Sequence, residues 1–195
     1  MQVRALTMMD ALFPRATLAR DLLLILGFTA VTALSAQIAF YIGPVPITGQ
    51  TFAVLLAGVL LGRWWGGVSI TIYAGLGFAG LPWFSGWSSG LGATGGYIIG
   101  FILAALFLGY FTDKYIRARG FLSMLGLMLL ANFVLIYIPG LIWLGLWLNM
   151  VSGTPAAVAT VVTMGAIPFI AGDIIKAILA AATAKGITPK SAYNV

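Results

Sequence analysis

Long apolar stretches, each closed by glycine, proline or basic residues, alternate along this chain with short polar breaks. The first runs from Asp21 to about Ile42 and reads as a helix, with Asp21 well placed near its positive N-terminal end. Two prolines and two glycines in segment 43–50 cannot continue it. A second, short helix spans Thr51 to Leu61 and ends at Gly62-Arg63; a third runs from about Gly66 to Ala79. The loop 80–92 is rich in glycine, serine and aromatic residues. A fourth helix follows from about Gly95 to Phe111. The fifth extends from Leu122 to about Trp147, with an interruption expected near Pro139-Gly140. An alanine-rich, weakly hydrophobic helix covers Pro155 to Ile167, and the last span begins near Pro168 and ends about Lys185.

Composition turns this pattern into a membrane protein. Of 195 residues, 62% are hydrophobic and 7% charged, against about 25% charged in ordinary soluble domains. So few charges cannot cover a globular surface, and the solvent must be largely lipid. The length suffices for about six spans of roughly 20 residues with short loops. The expected fold is an all-α integral membrane protein of six transmembrane helices, one domain over 1–195. It comprises a cytoplasmic segment 1–19 and a six-helix bundle over 20–186. The first apolar stretch is longer than a signal-peptide core and follows Arg4, Arg15 and Arg20, so it reads as a retained helix.

The net charge of +6 could suggest a nucleic-acid partner, but its placement argues otherwise. Arg4, Arg15 and Arg20 precede the first helix, and Arg63 sits between the second and third. Lys114, Arg117 and Arg119 follow the fourth, and Lys185 and Lys190 follow the last. Loops 43–50, 80–94 and 148–155 carry no Lys or Arg. Basic residues favour the cytoplasmic side, so both termini are expected there, in a multi-pass protein of the cytoplasmic membrane surrounded by lipid. No nucleic acid is needed.

Lys176 is the exception. With Asp173 it forms the only charged pair inside an expected span. An ionisable residue in the membrane costs about 3 kcal/mol or more and is kept for pairing or function. The i, i+3 spacing puts both side chains on one helix face. Counted from Pro168, Lys176 lies roughly 12 Å deep, in the outer third of the bilayer. The pair alone fits a self-neutralising structural contact as well as a ligand site. Three neighbouring features favour the site: the proline and glycine of 168–172 loosen the helix start, its N-terminus offers free N–H groups, and the outward loops are aromatic and glycine-rich.

Other candidates carry two readings each. Trp83, Phe84 and Trp87, with Ser85, Ser88, Ser89 and Thr94, could form an interfacial aromatic belt or a lid over a ligand. Thr48, Gln50 and Thr51 could cap the second helix or contact a ligand. Gly95 and Gly96, ahead of Tyr97, could admit a ligand to the backbone or pack helices. In the first helix, Thr32-x-x-x-Ala36 and Ser35-x-x-x-Ala39 give a small-residue face for internal packing or for docking a membrane partner. No histidine or cysteine is present, and no G-x-x-x-x-G-K-[ST] occurs. Acid–base enzymology, thiol chemistry and ATP hydrolysis by this chain are therefore not expected, and no cofactor is. No polar stripe suits a passive channel.

Taken together, these residues resemble the BioY family, the biotin-binding S components of energy-coupling factor (ECF) transporters. The match covers about residues 20 to 186. It rests on Pro44-Val45-Pro46-Ile47-Thr48-Gly49-Gln50-Thr51-Phe52-Ala53-Val54-Leu55-Leu56-Ala57-Gly58, on Gly80-Leu81-Pro82, on Thr94-Gly95-Gly96-Tyr97 and on Pro168-Phe169-Ile170-Ala171-Gly172-Asp173-Ile174-Ile175-Lys176. The last is similar to the family's P-F-x-x-G-D-x-x-K signature. One departure is Ala93, where many members have proline.

The resemblance implies an S-component fold with the vitamin bound near the outer surface under lids from the first, third and fifth loops. It implies a complex with a transmembrane coupling protein and two ATPase subunits, which alone would use ATP. Some members are said to work without such a complex, so those partners are implied conditionally, and a homo-oligomer is left open. For biotin, Asp173 would accept from a ureido N–H, and Lys176 would meet the valerate carboxylate or the ureido carbonyl. Trp83, Phe84 and Tyr97 would wall the ring system; Gln50 or Ser88, with Thr48 and Gly96 nearby, would complete the contacts. An S component for another small vitamin is the alternative.

Overall fold

The computed structural model describes residues 17–153 and 155–188. Arg4, Arg15, Lys190 and most of segment 1–19 lie outside the described residues. Helix α1 (Leu18–Gln37) starts three residues earlier than expected because Thr17 caps it, its hydroxyl accepting from the Arg20 amide at 3.3 Å. Asp21 is in the first turn and pairs with Arg20 at 2.7 Å. The helix also ends earlier. Instead of continuing to Ile42, the chain forms strand β1 (Ala39–Tyr41), antiparallel to β2 (Pro46–Thr48), with Ala39 opposite Thr48 and Tyr41 opposite Pro46. Phe40, Tyr41 and Ile47 favour an extended backbone, and the ribbon satisfies main-chain groups that the Gly43-Pro44 break removes from any helix.

The second run, α2 (Gln50–Phe78), is one helix in length but not in shape. At Gly62, φ is 78° and ψ is −179°, a conformation open to glycine and strained for other residues. A Cβ on Gly66 would stand 2.7 Å from the Ala57 carbonyl oxygen, nine residues earlier. In an unbroken helix those positions are roughly 13 Å apart. The chain therefore folds back at Gly62 into two limbs, 50–61 and 63–78, and the expected division there is observed. Their mutual approach requires small residues, since Gly66 meets Gly58 across the hairpin.

Helix α3 (Gly95–Lys114) packs along the hairpin, with Gly58 against Ala105 and Gly109 against the Gly62-Arg63 turn. Next come α4 (Phe121–Leu130), a π-helical stretch (Ala131–Ile136) and α5 (Tyr137–Ser152) in one continuous run. The expected interruption at Pro139 is not seen. The π stretch, in which the Tyr137 amide donates to the Asn132 carbonyl five residues back, shifts the bonding register just ahead of the proline. The last run comprises α6 (Val158–Gly165), a 3₁₀ turn (Ile167–Phe169) and α7 (Ile170–Ile187).

Among the described residues, five helical runs are long and apolar enough to cross a membrane: 18–37, 50–78, 95–114, 121–152 and 158–187. The α2 hairpin forms the centre, with 78% of its most apolar window buried, whereas α1 buries 17% and turns Leu23, Leu26 and Leu34 outward. Apart from Asp173 and Lys176, charged residues on the bundle's helices and connections gather at one end. Asp113 accepts from the Arg63 amide, the Arg63 guanidinium lies 4.7 Å from the Trp64 ring and 5.2 Å from Tyr110, and Lys114 donates to the Tyr110 hydroxyl. Buried Arg119 donates to the Thr112 carbonyl, and Lys185 sits over Phe121. The ribbon and the 80–94 loop occupy the opposite end.

Candidate functional site

Under the ribbon and the 80–94 loop is a cavity of about 560 Å³, counting the space at its mouth. Its apolar wall comes from Val45, Phe84, Ile98, Phe101, Ile136 and Phe169; its polar wall holds Asp173, Lys176, Tyr137, Thr48 and Gln50.

The polar wall starts in the first turn of α7, where Asp173 is 3% exposed. Its Oδ2 accepts from the Tyr137 hydroxyl at 2.5 Å, and its Oδ1 lies 2.5 Å from Lys176 Nζ. That second contact is a close ion pair, so the carboxylate engages the phenol and the ammonium through different oxygens. Lys176 Nζ donates to the Thr48 carbonyl at 2.9 Å, tying α7 to β2 across 128 positions of sequence. The Thr48 hydroxyl donates to Gln50 Oε1 at 2.9 Å, and Gln50 Nε2 reaches the Tyr73 hydroxyl at 2.6 Å. A polar chain thus runs from α5 through α7 and the ribbon into the α2 hairpin. Both charges face cavity space, so the pair is not sealed inside a helix contact.

Of the residues singled out from sequence, Asp173, Lys176, Thr48, Gln50, Phe84 and Tyr97 line the cavity. Tyr97 is anchored by donating to the Gly165 carbonyl at 2.7 Å. Three others do not line it. Trp83 packs behind the wall, its ring 5.5 Å from Tyr73 and its Nε1 donating to the Tyr73 carbonyl. Ser88 spends its hydroxyl on the Ser85 carbonyl inside the loop. Gly96 abuts the Pro139 carbonyl and the Trp143 side chain, so its missing Cβ serves helix packing rather than ligand access.

The expected docking face on α1 also turns inward. Thr32 and Ala36 are wholly buried, the Ser35 carbonyl accepts from the Gly49 amide, and Ala39 is paired within the ribbon. Thr29 and Ser69 hydrogen-bond across the same interface. Through Thr29 and the Ile25 carbonyl, α1 is seated on Ser69 of the limb 63–78.

Two contributors escaped the sequence reading. Tyr137 was hidden in an apolar helix, where a lone phenol beside Pro139 was its only signal. Gln37 ends α1 and holds the 80–94 loop: its Nε2 donates to the Trp83 and Phe84 carbonyls at 3.2 and 3.1 Å, and its Oε1 accepts from the Trp87 amide at 3.2 Å. Trp87 has φ of 57°, unusual for a non-glycine residue, and the Gln37 contact helps hold it there.

Known proteins match both the sequence and the fold. A protein of Methanothermobacter thermautotrophicus described as a probable biotin transporter BioY is 56% identical over 143 residues, covering 71% of this chain and 91% of its own length. The biotin transporter BioY of Thermotoga maritima is 33% identical over 158 residues, 79% of this chain and 87% of its own. The crystal structure of the S component for biotin from an ECF-type ABC transporter superposes with a TM-score of 0.75 at 28% identity, covering 88% of this chain and 94% of that one. The profile of the BioY family matches residues 5–192, and the chain belongs to that family.

Proposed function

We propose that this chain captures biotin at the cavity beneath the 80–94 loop, as the substrate-binding S component of a vitamin uptake system in the cytoplasmic membrane. The observation that carries this is the position of Asp173 and Lys176. Among the described residues they are the only acid and base on the cavity wall, and they stand beside an apolar surface that includes Phe84, Ile98 and Phe101. Biotin presents a ureido group with two N–H donors and a carbonyl, an apolar bicycle and a carboxylate tail. Asp173 accepts a ureido N–H through Oδ1, and Lys176 neutralises the carboxylate or binds the ureido carbonyl. Phe84, Tyr97 and Phe101 enclose the rings.

Six crossings follow from counting each limb of α2 separately. The limbs, 50–61 and 63–78, are about 18 and 24 Å long at 1.5 Å per residue, short against a hydrocarbon core of about 30 Å. An even number returns both ends of the chain to one side. The cluster of Arg63, Lys114, Arg119 and Lys185 makes that side cytoplasmic, with the cavity facing out. The likeness to the S component of an ECF-type ABC transporter supports ATPase subunits and a coupling protein as the source of energy for inward delivery, with transport by this chain without them as the alternative.

Purified protein titrated with biotin tests this reading. Ligand at 100 times its dissociation constant adds about 2.7 kcal/mol, visible as a rise in melting temperature that other vitamins at equal concentration do not produce. Lys176→Met weakens biotin binding by about 100-fold. It also leaves the buried Asp173 without its counter-charge, which costs up to about 3–5 kcal/mol of stability, so affinity is read at a temperature where the variant is folded. Unchanged affinity in that variant removes Lys176 from the site.

A further inference from the structure

Gln37 stands outside the cavity, yet its side chain is fully engaged with the cavity's outer wall. Its Nε2 donates to the Ala33, Trp83 and Phe84 carbonyls at 3.3, 3.2 and 3.1 Å, and its Oε1 accepts from the Trp87 amide at 3.2 Å. One amide orientation alone fits, because the carbonyls require the donor end and the Trp87 N–H requires the acceptor. Three of these bonds cross 46, 47 and 50 positions of sequence. The last residue of α1 thus grips a loop that follows α2.

What it grips is the part of the loop that forms the wall. Phe84 is 3% exposed and lines the cavity, its ring seated against Gly77 and edge-on to Tyr73 and Phe78. Trp83, bonded at the preceding carbonyl, packs behind that wall on Tyr73. Three residues after Phe84, Trp87 holds its φ of 57° in the left-handed region, which a bulky side chain disfavours. Trp87 is 66% exposed, so side-chain packing does not force that conformation. Two contacts do: the bridge between Phe84 and Ser88 around it, and the bond from its own amide to Gln37. The bridge is internal to the loop. Other ties meet the loop elsewhere, the Gly90 amide on the Gly77 carbonyl, Trp143 on the Gly92 carbonyl, and the exposed hydroxyl pair of Tyr41 and Ser85. Among the described residues, Gln37 is the one group outside the loop that bonds the backbone of 84–87.

We propose that Gln37 is a positioning residue of the biotin site: by clamping the backbone at Phe84 and Trp87 it holds the wall over the cavity, and its release sets how fast the ligand leaves. It touches no ligand itself. The kinetic consequence rests on the proposed biotin site; the clamp does not.

Hydrogen exchange of the full chain in lipid nanodiscs, read by mass spectrometry without ligand, reports the clamp directly. Gln37→Leu should speed exchange at 83–90 at least tenfold and leave α1 and α3 at the parent's rate. In the same variant biotin should dissociate about tenfold faster and associate within threefold of the parent, so that affinity falls about tenfold, about 1.4 kcal/mol. Adding Trp87→Asn should bring dissociation back to within threefold of the parent, because asparagine enters the left-handed region more readily than tryptophan. A general loosening of α1 would not respond to that second change. Parent-like exchange at 83–90 overturns the proposal. So does faster exchange that extends through α1, or a double variant that releases biotin as fast as Gln37→Leu. If Gln37→Leu does not fold, Gln37→Glu decides by loop exchange alone, since it keeps an acceptor for the Trp87 amide and loses both donors: faster exchange supports the clamp and parent-like exchange overturns it. Failure of the parent protein to bind biotin removes the proposed function and leaves the clamp to be decided by loop exchange.

Discussion

Where α7, β2 and Tyr137 meet, the cavity is held by polar contacts between distant parts of the chain; where α3 meets the π stretch and α5, it is held by backbone pressed on backbone. On the first side, one carboxylate engages a phenol and an ammonium, and the ammonium reaches a strand carbonyl. On the second, Gly96 meets Pro139 and Trp143, Gly100 meets Leu135 and Ile136, and Gly140 meets the Tyr97 ring. The polar side supplies chemistry and tolerates changes of shape poorly chosen for charge. The glycine side supplies shape and has no chemistry to lose. A substitution on one side should therefore move affinity first, and on the other stability first.

The largest effect is expected at Asp173. Asp173→Asn leaves Lys176 without its counter-charge, and removing one member of a buried pair costs about 3–5 kcal/mol. Lys176 retains 17% side-chain exposure toward the cavity, so the stability loss should fall at or below the low end. Biotin binding should be lost, as calorimetry in detergent would reveal; retained binding would detach the ligand from the polar wall. Gly100→Val comes next. Its Cβ would lie 2.6 Å from Ile136 Cα and 2.7 Å from the Leu135 carbonyl oxygen, and overpacking of that kind costs about 1–3 kcal/mol. A melting temperature lower by several degrees, with affinity falling only as the fold loosens, would bear out the division. An unshifted melting point would show the seam to be slack. Smallest is Tyr137→Phe, which deletes one hydrogen bond to a charged group, about 1.5 kcal/mol. A rise of about tenfold in dissociation constant is expected with a fall in melting temperature no larger than that of Gly100→Val, and a larger fall with unchanged affinity would move Tyr137 to the packing side.

Much of the site was legible because membrane chemistry is sparse. An acid and a base three residues apart in an apolar span stand out, and both line the cavity. Thr48, Gln50 and Tyr97 were found through the polar and glycine-flanked segments around them. Trp83, Ser88 and Gly96 do not line the cavity, because residue type does not say which side of a loop or helix faces it; Trp83 and Gly96 pack behind its wall. Tyr137 was missed because its partner is 36 residues away. The ends of α1 and the behaviour at Pro139 also differed from expectation, since strand pairing and a π register are settled by neighbours rather than by local propensity.

By itself the sequence determined the solvent, the break at Gly62 and the presence of a charged pair within the last apolar span. Each depends on residue identity alone: too few charges for water, a backbone angle only glycine enters freely, and ions that must be paired. Tertiary structure decided which small residues face α1's own partner helix, which aromatic rings reach the cavity, and that Asp173 meets Tyr137 while Lys176 meets Thr48. Those outcomes depend on helix rotation and register. Both are set by close packing among glycines on different helices, and no single segment encodes that.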